Sequence, residues 1–517
     1  MKLHVLAALF AALSTAAHAH TQPELKRHAN VKRQATTSSS TSSAVSSTSS
    51  PSTTAATSVV TGSSSSSTGT ATGSSVSGSV STTAAAAANG NVAATILTES
   101  ATVSGVPALT ALTFGMSSGT SFAATTTWAT TASPPLSGAP SLPTPFVYTA
   151  GVWPTQDKVA PTDSDEVQAW LKELDGWDIP DLEQTTDGTC ASDLEFSQDA
   201  ANRGWWTCGA HTRDTDIINC PDKLTWGVSF DDGPGPYTQK LLNYLDDVDI
   251  SATFFVVGSR VIERPAILVE EYMKGHEISV HTWAHPHLTT LTNEQIVAEL
   301  GWTRKAIKEV LGVTPTTMRP PYGDIDDRVR AISLAMGLVP IIWTTAGALG
   351  SFDTFGECYA VSFNMSSSRV IDWEVAAGTK TGAECVQEFD NILGNASIID
   401  TGIIVLEHDL YELTVDLAIG YNLETAKNHN PAFTLKPIGE CYGIPTSDLY
   451  RETNTNTSFP FPNTTVDVNG DGTVDTNSST SSATSTGSSN GVITINLASI
   501  YTTFSLVGLV AIASALL

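Results

Sequence analysis

The sequence predicts an α/β fold around a parallel sheet, open or closed into a barrel, at about 152–441, flanked by disordered Ser/Thr-rich segments. Three observations carry this. Short apolar runs alternate with stretches of helical spacing, the signature of repeated β-then-α units. The motifs richest in acids and histidines each follow one of those runs. Outside this region the chain collapses to Ser, Thr, Ala and Gly, and Glu99 is the only charged residue between Arg33 and Asp157.

Taken in order, 224–230 is an apolar β-rich run and 237–247 has helical spacing. Ala252-Thr253-Phe254-Phe255-Val256-Val257 reads as a strand ending at Gly258. Residues 265–274 read as a helix with Pro265 at its first position, where the missing N–H costs nothing. A short strand is expected at 277–280. Thr292-Asn293-Glu294-Gln295 has capping-box spacing and opens a helix to about Leu311, stopped by Gly312. Further strands are expected at 316–320, 339–343 and 402–406, with helices at 326–336 and 414–427.

The flanks speak of a secretory route. Met1-Lys2-Leu3-His4, an apolar run and Ala17-His18-Ala19 have the layout of a signal peptide over 1–19. Lys32-Arg33 fits a second processing site that would make 20–33 a propeptide. Residues 34–150 are too poor in large apolar side chains to offset their ordering entropy, and are expected to form a disordered, O-glycosylated stalk. At the other end, small residues near Ser489 and Asn490 precede an apolar tail without Lys or Arg, the layout of a glycosylphosphatidylinositol signal over 491–517. Either Ser489 or Asn490 would carry the anchor, placing the protein on the outer face of the membrane and in the cell wall. The stretch 446–490 reads as an Asn/Ser/Thr-rich linker. Cys190, Cys208, Cys220, Cys358, Cys385 and Cys441 suit disulfides in an oxidising compartment, and six cysteines allow fifteen pairings. Cys358 and Cys385 bracket a suspected insertion and are candidates for a local pair. Sequons begin at Asn364, Asn395, Asn456, Asn463 and Asn477. A formal net charge of −27, from 25 basic and 52 acidic residues, argues against a nucleic-acid partner.

Four motifs carry the chemistry. In Ser229-Phe230-Asp231-Asp232-Gly233-Pro234, one carboxylate can bind a divalent metal while its neighbour takes a proton from water. Alone this would be an acidic turn. His281 and His285, four residues apart, can reach the same ion, whereas His287 fits the spacing less well and is read as structural. One carboxylate and two imidazoles leave coordination positions open, which suits hydrolysis. Arg319-Pro320-Pro321-Tyr322 is stiffened by its prolines, and His408 ends the apolar run before Asp409. Catalytic residues at the carboxyl ends of several strands are the habit of (β/α) barrels. Residues 467–475 look like a calcium loop, but Ser478 stands where a bidentate carboxylate is required, so calcium is not expected.

In this order, and over about 220–420, the motifs resemble the polysaccharide deacetylase family (the NodB homology domain). With the terminal signals, the chain looks similar to the fungal, wall-anchored members that act on chitin. The resemblance implies a distorted (β/α) barrel over 221–445 with an N-terminal extension at 151–220. It implies hydrolysis of N-acetyl groups on N-acetylglucosamine residues of chitin, giving chitosan and acetate, by a monomer with one divalent metal, zinc or cobalt. It makes Asp231 the general base, also in contact with the acetate, and Asp232, His281 and His285 the metal ligands. Arg319 would hold Asp231, the Tyr322 N–H would bind the oxyanion, His408 would be the general acid and Leu406 would line the acetyl pocket. The family's remaining motif has an acid and a tryptophan soon after a strand like Ile341-Ile342-Trp343. Here Thr344-Thr345 follow instead, and the motif aligns with Asp372-Trp373 behind an insertion. Asp372 would orient His408, and Trp373 would line the substrate groove. Rival readings are an O-acetyl polysaccharide esterase and a catalytically weak wall-binding protein.

Overall fold

The computed structural model describes residues 100–101, 103–345 and 372–462. The signal peptide, the propeptide, the calcium-like loop and the anchor site at Ser489 or Asn490 lie outside them. So do Cys358, Asn364, Asn463 and Asn477. Seven strands form one parallel sheet: β1 (Thr225–Asp231), β2 (Thr253–Val256), β3 (Glu277–Val280), β4 (Thr317–Met318), β5 (Val339–Pro340), β6 (Ile403–His408) and β7 (Thr434–Lys436). Their order is β5-β4-β3-β2-β1-β6, with β7 on the first half of β1. All seven residues of β1 are buried, as expected of a strand covered on both faces. The sheet curls until the chain beyond β5 meets β6. There Thr344 N donates to Ile404 O at 3.1 Å, and Ile404 N donates to Thr344 Oγ1 at 2.9 Å. A side chain thus closes the ring where a ladder would run, and β4 and β5 have only two residues each, so the barrel is distorted.

The helices packed around the sheet are α1 (Thr238–Asp247), α2 (Gly258–Glu263), α3 (Pro265–Met273), α4 (Asn293–Leu311), α5 (Asp327–Ala335), α6 (Asp372–Ala377), α7 (Gly382–Ala396), α8 (Glu412–Leu417) and α9 (Leu423–Asn428). Thr292 caps α4 through the expected reciprocal bonds with Gln295, and Gly312 ends it in the left-handed conformation. The expected 414–427 helix is interrupted by a π turn at Ala418–Asn422. Four elements escape the sequence pattern: β7, α2, α6 and α7. Gly258 opens α2 where only the end of a strand was expected. Thr381 and Glu384 form a capping box for α7 with the same spacing as at Thr292, a signal that was there to be read.

Two boundaries need correction. The stalk was expected to reach residue 150, but 103–150 lie against the folded domain. Leu109 and Leu112 are buried, Tyr421 Oη donates to Pro107 O at 2.7 Å, and Phe122 N donates to Pro236 O at 2.9 Å. This arm is extended, so its anchors are single residues separated by Ser, Thr and Pro. They make no periodic pattern, and average composition hides them. The domain also runs past residue 445: Leu449 and Tyr450 are buried, and Tyr450 bridges to Pro315. Residues 446–462 therefore belong to the fold rather than to a linker. Disulfides join Cys190 to Cys208 and Cys220 to Cys441. The second ties the approach to β1 to the segment after β7, a long loop whose closure entropy is removed from the unfolded chain.

Candidate active site

The strand register sets the site. Asp231 on β1 pairs with His408 on β6, and Ser229 with Leu406. Alternate residues share a face, so these four side chains line one side of adjacent strands at their carboxyl ends. Arg319, just after β4, reaches across: its Nη1 donates to Asp231 Oδ1 at 2.7 Å and to Ser229 Oγ at 2.9 Å. Arg319 is fully buried, and its guanidinium lies 3.9 Å over the Phe255 ring. Burial pushes the Asp231 carboxyl up to about 6, against the pull of Arg319 and His408.

Asp232, His281 and His285 converge, with their ligand atoms all within 4.8 Å of one another. His281 Nδ1 faces the Arg319 carbonyl at 2.8 Å, so that nitrogen carries the proton and donates. The lone pair of Nε2 is then aimed at carboxylates, 3.7 Å from Asp232 Oδ1 and 3.8 Å from Asp231 Oδ2. His285 Nε2 is 3.2 Å from the same Asp232 oxygen, which is buried and accepts no hydrogen bond. Arg260 Nη1 also lies 3.5 Å from this oxygen without a hydrogen bond, and the set of one carboxylate and two imidazoles around one point fits a divalent cation. Burial opposes the charged form of Asp232, but His285, Arg260, His408 and His281 hold its carboxyl well below the usual range.

Backbone strain concentrates here. Asp232, Thr282, His285 and Tyr322 have φ of 79°, 63°, 59° and 60°. Left-handed conformations at residues other than glycine persist only where surroundings enforce them. The enforcing bonds are visible. Thr282 Oγ1 accepts from His285 N at 3.0 Å, Thr282 O accepts from Gly258 N at 2.9 Å, and Asp232 N donates to Phe255 O at 3.2 Å. Tyr322 is stacked at 3.9 Å on His287, which also lies 3.7 Å from Asp324.

Asp372 reaches His408 from the start of α6. Its Oδ1 accepts from His408 Nδ1 at 3.0 Å and its Oδ2 from His408 N at 2.9 Å. Burial disfavours a charged His408 ring, but Asp372, Asp232 and Asp231 override this and raise its pKa to about 10. Trp373 follows at a half-buried position, and its N–H donates to Asp372 at 2.6 Å. Leu406 is buried beside His408 on β6. All ten residues singled out from the sequence for catalysis, metal or substrate lie at or beside this barrel mouth.

Residues that sequence reading missed are also there. Ser229 shares a strand face with Asp231 and was findable from period-2 alternation. Arg260 on α2 donates to Asp232 O at 2.6 Å. Asp409 is buried, bonds Thr238 Oγ1 and lies under Gly233, where an added Cβ would meet it at 2.5 Å. Arg260 follows a strand end, as the other site residues do, whereas nothing near Asp409 marks it apart from His408.

A (β/α) barrel with a carboxylate–imidazole cluster, a second carboxylate and a carboxylate-held histidine at the carboxyl ends of its strands defines a hydrolase of the metal-assisted class. The family profile described as polysaccharide deacetylase matches residues 218–341. The chain is 48% identical to chitin deacetylase 1 of Cryptococcus neoformans var. grubii over 71% of its own length and 75% of that protein. It is 33% identical to the chitin deacetylase of Amylomyces rouxii, covering 53% of this chain and 63% of that one. The solved chitin deacetylase of Colletotrichum lindemuthianum aligns with 23% identity and a TM-score of 0.38 over 48% of this chain and 99% of that one. The chain belongs to the polysaccharide deacetylase family.

Proposed function

We propose that this protein hydrolyses the N-acetyl groups of N-acetylglucosamine residues in cell-wall chitin, giving chitosan and acetate. A divalent cation held by Asp232, His281 and His285, zinc or cobalt, would polarise the amide carbonyl and make water a stronger nucleophile. Asp231 is the base: its Oδ2 takes a proton from the attacking water while Arg319 fixes Oδ1. The Tyr322 N–H donates to the developing oxyanion. His408, oriented by Asp372, gives its Nε2 proton to the departing amine, so the C–N bond breaks to acetate and free amine. Leu406 faces the acetyl methyl, and Trp373 borders the sugar. The observation that carries this reading is the pairing of Asp231 with His408 on neighbouring strands, beside the Asp232–His281–His285 cluster. Base and acid thus flank a single reacting carbon.

The disulfides Cys190–Cys208 and Cys220–Cys441 support an extracellular setting. With the leader and tail of the sequence, they favour a secreted protein held to the membrane by a glycosylphosphatidylinositol anchor; we propose that it is a monomer, with Asn395 and Asn456 among its glycosylated residues. The test is acetate release from chitin oligomers by the purified protein, with and without chelator. Release that chelator stops and zinc or cobalt restores is expected. Acetate from O-acetylated polysaccharide alone would make the protein an esterase, and no release from either would leave it a wall-binding protein.

A further inference from the structure

Glu299 lies in the middle of α4 with no solvent exposure. Among the described residues no cation pairs with it, and peptide groups surround its carboxylate instead. Oε2 accepts from Trp283 N and Ala284 N, both at 2.9 Å. Oε1 accepts from Ala160 N at 2.8 Å. Trp283 and Ala284 are the residues between Thr282 and His285, so one oxygen gathers the N–H groups in the middle of the strained histidine loop. Successive N–H groups turned to one side form a concavity that selects an anion, here supplied by the protein itself.

We infer that Glu299 is a positioning residue for the metal site: it holds the 281–285 loop in the conformation that aims His281 and His285 at one ion. The inference rests on the proposed role of those histidines. The same carboxylate ties in the N-terminal extension. Besides the Ala160 bond, Trp153 stacks on Trp283 with centroids 6.0 Å apart, and Trp283 Nε1 donates to Thr155 O at 3.2 Å. The extension and the histidine loop therefore share one support. Glu270 provides the internal contrast. It is equally buried and accepts from Thr125 N at 2.8 Å and Thr126 N at 3.2 Å, but it fastens the outer arm and touches no part of the histidine loop.

The experiment is titration of the metal-free protein with cobalt, followed by its visible absorption, together with thermal unfolding. Glu299→Gln keeps the reach and one acceptor oxygen for the two loop amides, and should bind cobalt within about threefold of the parent protein. Glu299→Asp withdraws the carboxylate and Glu299→Leu removes it, and each should lose about 10–100-fold in affinity, the usual effect of losing a group that orients a ligand. Glu270→Gln should lower the melting temperature and leave cobalt affinity unchanged. Near-parental affinity in folded Glu299→Asp or Glu299→Leu overturns the inference, and the Asp variant decides if the Leu variant does not fold. A parent protein that binds no cobalt would remove the metal site itself, which is a separate failure.

Discussion

The two halves of the site are held by different kinds of structure. Asp232, His281 and His285 sit on loops that leave neighbouring parts of the sheet, and backbone hydrogen bonds hold those loops: Val257 N donates to Gly233 O, Gly258 N to Thr282 O and Ser259 N to Trp283 O. His408 ends a strand paired with β1 along its whole length, but its orientation depends on one carboxylate, Asp372, 36 residues earlier in the chain. The first half stores strain in four left-handed residues, and the second stores none of that kind. A metal site needs several donors fixed at once, so redundant backbone bonds suit it. A proton donor needs one ring in one orientation and charge state, and a single buried carboxylate supplies both.

The largest effect should come from the residue both halves share. Asp231→Asn keeps the shape of the side chain and loses the proposed proton acceptor. Turnover on chitin oligomers should fall by about 10²–10⁴-fold, the range for loss of a positioned base. Zinc or cobalt content should stay near one equivalent per chain, because Asp231 lies outside the ligand set. Full activity in this variant would return the base role to another group, and loss of metal would merge the two halves into one unit.

Asp372→Asn should separate them. In the proposed mechanism His408 acts when protonated. Burial works against that state and Asp372 works for it, so removing the charge lowers the ring pKa. The alkaline limb of the pH–rate profile should therefore move to lower pH. Turnover should fall by about 10–100-fold, less than for Asp231→Asn because the proton donor is still present. Metal affinity should not change. A uniform loss of rate with an unmoved limb would show that Asp372 supports the fold locally without tuning His408.

The same contrast explains how far the sequence could be read. Asp231, His281, Arg319 and His408 each follow an apolar run, and that placement at strand ends made a common barrel mouth foreseeable. Asp372 was harder, because the strand it should follow is separated from it by an insertion, and only its neighbour Trp373 marks the place. Glu299 gave no signal: a glutamate within a capped helix reads as solvent-facing, and the amides it holds come from Ala160, Trp283 and Ala284, far from it or without side-chain identity in the interaction. The arm at 103–150 fails for a related reason. Its contacts include α3 and α8, through Thr125 N to Glu270 and Gly119 N to Glu412, and no local pattern encodes a partner so distant in the chain.

The smallest effect tests whether the metal half is as redundantly held as its bonds indicate. Thr292 caps α4, the helix that carries Glu299, by accepting from Gln295 N at 3.3 Å while Gln295 Oε1 accepts from Thr292 N at 3.0 Å. Thr292→Ala removes the side-chain acceptor and should cost about 1 kcal/mol of stability, read as a lower midpoint in urea. The histidine loop hangs on Glu299, two turns further along α4, and on the independent bonds from Gly258 and Ser259. Fraying of the first turn should not reach it. Cobalt affinity and turnover should equal those of the parent protein once the fraction folded is taken into account. A parallel loss of metal affinity would mean that the α4 N-terminus and the histidine loop move together, and that the metal half is one cooperative unit with its helix.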